Sequence, residues 1–218
     1  MTIDLQKLGG IAALIEAALY VTGFVLFMTV LDSSGYEGYA QKISFLAANQ
    51  FASFIAYLLI YVVFGLVLVV LALALHARLK NGSPAIMQTA TAFGLIWAGL
   101  VIASGMIANV GNSAVVGLFS ENQDLAVSLW LAILTVQEAL GGGNEIVGGL
   151  WVLLLSWAAL RGSGLPKVLN YLGVLVGLAG ILTVVPAFDV LMDVFGLGQI
   201  VWFAWLGIVM LGERPIAT

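Results

Sequence analysis

The chain has no cysteine, which removes disulfides, thiolate nucleophiles and cysteine-ligated metals. It has one histidine, His76, which excludes a histidine-based metal cluster and a bis-histidine haem. No HExxH, Walker loop or GxSxG occurs. Charge is scarce: Asp, Glu, Lys and Arg make up 8% of residues, against roughly 25% in an ordinary soluble domain. There is no basic patch for nucleic acid. No lysine lies inside an apolar run, so a retinal-type Schiff base is excluded. No cofactor and no resident metal are expected, and an enzyme is the less favoured class.

What is present is apolar. Hydrophobic residues are 62% of the chain, too many to be covered from water, so the lipid bilayer is the expected solvent. Apolar runs fall at residues 8–31, 51–75, 85–110, 141–160, 168–188 and 195–211. About 20 helical residues cross the ~30 Å hydrocarbon core. The first run is long and shows no clear small-residue cleavage site before Asp32, so it reads as a retained span. Between the runs lie a polar loop passing into a short amphipathic piece (32–50), a basic turn (76–84), a loop rich in Asn, Gly and acids (111–124) and a Gly-Ser-Gly turn (162–166). Residues 125–140 reach only ~24 Å as a helix and read as an extra outer-face or membrane-dipping helix.

Charge placement supports six spans in one domain, 1–218. Lys7, Arg78, Lys80, Arg161, Lys167 and Arg214 then share one side, and only Lys42 falls on the other. That is the positive-inside pattern, with both termini cytoplasmic. A seventh span would erase the asymmetry. The expected fold is an all-α integral membrane bundle of six transmembrane helices. A weak internal echo links FGLVLVVLALALHARLKNGSP with GGLWVLLLSWAALRGSGLP. Leucine-rich spans ending in basic turns look alike in any case, so duplication is the weaker explanation.

The richest stretch is QEALGGGNEIVGGLWVLLLSWAALR, residues 137–161. On one helix, Glu138, Gly142, Glu145 and Gly149 form a stripe, with Trp151, Leu154 and Leu155 on a lipid-suited side. Glu145 lies ~24 Å above the inner boundary, while Glu138 reads as a solvated helix end. Glu16 is ~12 Å inside the first span. A carboxyl there must face the bundle, find a partner or carry a proton. It is either a titrating or cation-binding group, or a neutral packing residue bonded to backbone or tyrosine.

Glu145, Asn144, Tyr57, Tyr61 and Gln199 are the candidate ligand-binding groups of an outward-facing acidic pocket, with Glu16 deeper. Gln50, Asn109, Asn112, Asp189 and Asp193 sit at similar depth and complete one possible lining. Each also has a plain reading, since tyrosines at span ends form the aromatic belt and paired aspartates are commonly a solvated loop. Gly173, Gly177 and Gly180 read as a face for close helix packing.

LGGIAALIEAALYVTGFVLF, and EIVGGLWVLLLSWAALRGSGLPKVLNYLGVLVGLAG in the second half, resemble a family of small bacterial six-helix membrane proteins catalogued only as a domain of unknown function. The resemblance implies a bacterial cytoplasmic membrane and six helices, and it carries no catalytic residue. The functional expectation is binding or transport of a small polar or cationic ligand, or a proton. The alternative is a non-catalytic subunit or scaffold with a membrane-protein partner. A lipid-modifying enzyme is a third reading.

Overall fold

The computed structural model describes residues 4–142, 145–162, 164–188 and 190–212, and among them there is no strand. The helices are α1 (Leu5–Met28), α2 (Tyr39–Ala48), α3 (Gln50–Tyr57), α4 (Phe64–Leu79), α5 (Pro84–Phe119), α6 (Gln123–Gln137), α7 (Ile146–Gly162), α8 (Lys167–Leu182) and α9 (Leu191–Gly212). A wide turn, Leu58–Val63, carries α3 into α4 without a break in direction. Among the described residues five stretches are long and apolar enough to cross a membrane, and α8, at 16 residues, is shorter.

Six helical columns form a closed ring. Going round it, α1 touches α4, α4 touches α5, α5 touches α7, α7 touches α8, α8 touches α9, and α9 returns to α1. Every neighbouring pair is antiparallel. Gly10 meets Leu211 while Gly196 meets Phe24, and Tyr20 stacks on Phe64 while Gly9 meets Ala74. The described ends of the chain therefore lie at the same end of the bundle, where the Gln6 side-chain amide donates to the Met210 carbonyl at 3.0 Å. Lys7, Arg78, Lys80, Arg161 and Lys167 share that end. The two turns of the sequence echo meet there, with Gly82 against Gly162 and Arg78 Nε donating to the Gly164 carbonyl at 3.0 Å.

The middle of the chain departs from the sequence reading. The third run was expected to end at 110, yet α5 continues through GNSAVV to Phe119, 36 residues in all. At 1.5 Å per residue that is about 54 Å, far beyond the hydrocarbon core. Packing overrides the turn signals: Gly111 faces Ile133 of α6, and Asn112 and Val115 are buried. The extra helix expected near 125–140 is present as α6, divided from α7 by a break at Gly141. It runs antiparallel along the far end of α5 and is the outer section of the fourth column, its base fixed by Ser104 Oγ donating to the Gln137 carbonyl at 3.3 Å. The amphipathic α2 leans on this extension, with Tyr39 edge-on to Trp130 at 6.1 Å.

Between α6 and α7 the column breaks. Gly141 has φ 136°, a backbone state that side chains disfavour and glycine accepts. The continuous stripe through Glu138, Gly142, Glu145 and Gly149 therefore does not form. The expected lipid side is also corrected. Trp151 and Leu155 are buried in the core, and Leu154 is half-buried. In lipid, hydropathy does not separate a bundle-facing side chain from a lipid-facing one.

Inside the ring the space is filled by aromatic rings. Trp97 lies 5.7 Å from Trp151, Trp151 5.8 Å from Trp202, Trp202 5.3 Å from Phe203 and Phe64 5.5 Å from Trp97. Their contacts are mostly edge-on, the arrangement that the ring quadrupole favours. Outward-facing positions are mostly aliphatic, with aromatic exceptions such as Phe51, Trp157 and Tyr171: Leu175 of α8 is 67% exposed, opposite the buried Gly173, Val176 and Gly180.

Candidate functional site

Glu145 stands immediately before α7. Its backbone carbonyl accepts from Gly149 N–H at 2.7 Å, and its own N–H donates to Thr183 Oγ1 at 2.9 Å. Thr183 Oγ1 in turn donates to the Gly180 carbonyl at 2.7 Å. The end of α8 thus fixes the main chain of Glu145, leaving the side chain to point away from α8. A carboxylate at a helix N-terminus also sits in the favourable end of the helix dipole.

That side chain opens into a cavity of about 380 Å³ at the end of the bundle away from the basic turns. Pockets for small ligands run roughly 300–1,000 Å³. The mouth lies between the outer ends of α1 and α9, at Met28, Met192 and Asp193. Tyr61 forms one wall, and Tyr20, Phe64, Trp97 and Phe195 form the floor. Directly beneath lie Trp151, Trp202 and Phe203, which do not reach the cavity. The cavity is therefore blind in this conformation. Glu145 and Asp193 supply its carboxylates, and among the described residues no Lys, Arg or His lines it.

The candidate residues are distributed as follows. Glu145 and Tyr61 meet in the cavity. Tyr57 stands behind Tyr61, ring centroids 5.5 Å apart, and packs on Phe27 at 5.7 Å. The Gln137 side chain lies beside both tyrosine hydroxyls, so the start of the fourth-column break is tied to α3–α4. Glu16 is wholly buried and does not line the cavity, and both its oxygens are without a hydrogen-bond partner among the described residues. Gln199 is likewise wholly buried off the cavity, its amide nitrogen and oxygen both unpartnered among the described residues. Asn144 and Asp189 lie outside the described residues. Gln50, Asn109 and Asn112 belong to a second hollow of about 760 Å³ between α3 and α5, so the single outer lining expected from their depth divides in two.

Tyr20 is not among the candidate ligand-binding groups read from the sequence, where it stands only as a residue on the same face as Glu16. It lies one turn beyond Glu16 on α1, and its hydroxyl is within electrostatic reach of Glu145, Glu16 and Tyr61. It lines the cavity and also interacts with the buried acid. Its spacing from Glu16 was visible, but its approach to Glu145 depends on the ring closing. Trp97 also had a signal. It stands ~20 Å along α5, in the middle of a span rather than in the aromatic belt.

Glu16 permits a direct test. Leaving a buried polar group unpaired costs about 1–3 kcal/mol, so Glu16→Leu, of similar volume, should raise the melting temperature of the purified protein. A lowered melting temperature would mean that the carboxyl has a partner worth more than its desolvation.

Among the described residues no group of three or more His, Cys, Asp or Glu side chains is arranged to hold a metal ion. The apolar columns, their mostly aliphatic outer faces and the blind acidic cavity define a multi-pass helical membrane protein. Within that class the chain belongs to the family described as Domain of unknown function (DUF4386), whose model matches residues 8–209. No curated protein and no solved structure matches it.

Proposed function

We propose that this protein crosses the bacterial cytoplasmic membrane six times, with both ends inside, and binds a small polar or cationic ligand from the outer side. The antiparallel ring of six columns and the gathering of Lys7, Arg78, Lys80, Arg161 and Lys167 at one end support that orientation. The observation that carries the binding reading is the Glu145 carboxylate, held at the start of α7 and opening into a blind cavity with no basic residue among its described lining. A carboxylate in so apolar a setting is costly unless something of opposite charge or a proton shares it. Transport additionally requires the aromatic floor to part, because Trp97 and Phe64 seal the cavity below.

The cysteine-free chain makes the test simple. A membrane-impermeant maleimide added to intact cells should label Glu121→Cys and spare Lys80→Cys until the cells are permeabilised. The reverse pattern would overturn the orientation. Compounds that raise the melting temperature of the purified protein should lose their effect in Glu145→Gln. If no compound of any charge shows a response that depends on Glu145, the pocket has no such ligand.

A further inference from the structure

The chemistry of the cavity wall narrows the ligand, on the premise that the pocket just described is a binding site. A bare alkali or divalent ion needs several oxygens around it, six to eight in the case of calcium. Here the two carboxylates are accompanied mainly by aromatic faces, and among the described residues no three-acid group exists. An anion would meet Glu145 and Asp193 with no basic side chain among the described lining to offset them. A neutral apolar molecule would desolvate Glu145 and return nothing to it. One chemistry satisfies both parts of the lining. Aromatic faces attract a cation through the ring quadrupole, and they also cover its alkyl groups.

We propose that the cavity is a site for an organic ammonium cation. The charged nitrogen sits against the Glu145 carboxylate, and the alkyl substituents lie on Phe24, Tyr61, Phe64 and Trp97. Asp193 stands at the mouth, on the first turn of α9, where it draws the cation in. The volume, about 380 Å³, leaves room for substituents around the nitrogen that a metal ion would not fill. The Thr183 bond fixes the Glu145 main chain where the residue shares the cavity lining with the rings, so the acid is positioned before the ligand arrives.

The experiment uses the purified full chain in nanodiscs and follows both melting temperature and tryptophan fluorescence, since Trp97 lines the cavity. The probes are choline, its neutral carbon isostere with a quaternary carbon in place of the nitrogen, and potassium chloride at matched ionic strength. Choline should bind at least about tenfold more tightly than the isostere. That preference should vanish in Glu145→Gln and shrink in Asp193→Asn, while potassium should produce no comparable response. Equal binding of choline and the isostere, unaffected by Glu145→Gln, would overturn the inference. So would a response to potassium that depends on Glu145, with none to choline, although that result would leave the cationic-pocket reading standing. The comparison between probes on the unmodified protein does not depend on any variant folding.

Discussion

Gly149→Val is expected to prevent the bundle from assembling normally. A Cβ at Gly149 would lie 2.7 Å from the Gly177 carbonyl oxygen and 2.7 Å from the Ile181 nitrogen. Both are main-chain atoms of α8, so no rotamer change relieves the clash and the two helices must separate. The contact is reciprocal, because a Cβ at Gly177 would lie 2.7 Å from the Leu153 nitrogen and 2.8 Å from the Gly149 carbonyl oxygen. Without a hydrophobic force between helices in lipid, close backbone approach is a main source of helix association. A loss of about 3 kcal/mol, the upper part of the overpacking range, is expected. It should appear as a lower melting temperature and a reduced monodisperse peak in size-exclusion chromatography. Gly99→Val, in α5, is the control: a Cβ there meets nothing within 4 Å, and its effect should be small. Equal damage from both would show that backbone contact at α7–α8 is not the cause.

Trp151→Ala should be the most damaging truncation. Trp151 is 1% exposed and lies against Trp97, Trp202 and Phe203. Its indole nitrogen side also fills the notch at Gly94. Removing a fully buried tryptophan costs about 3–5 kcal/mol, from lost contacts and from the cavity left behind. The variant should melt well below the parent. It should also lose binding in the outer cavity, because Trp97 then has no support from below and the floor loosens. A variant that melts low yet binds normally would separate the stack from the site. The two predictions probe different faces of α7: one meets the neighbouring backbone, the other fills the ring.

The candidate site was legible only in part. Glu145 stood out because a carboxylate within an apolar stretch is expensive wherever it faces. Tyr61 was reachable through its depth on the second run. Depth along a helix axis follows from counting residues, but which neighbour a side chain meets depends on rotation about that axis and on the order of helices round the ring. Gln199 and Gln50 show this: they were matched to the site by depth, yet one is sealed inside the bundle and the other lines a different hollow. Aromatic side chains were least legible, since a tryptophan in lipid-suited sequence reads the same whether it faces lipid or the core.

Composition, by itself, determined that this is a helical membrane protein, because burying unpaired charge and bare backbone in hydrocarbon leaves few alternatives, and charge order set the expectation that the basic residues, Lys42 apart, lie on one side. The tertiary structure alone decided that α6 stacks above α7 in one broken column, that α9 closes the ring on α1, and that Tyr20, Trp97 and Asp193 gather round Glu145. Those outcomes rest on shape: where glycines let backbones touch, and which rings then fill the space between them. Hydropathy counts how much of a helix avoids water but does not record its direction, and direction is what makes the cavity.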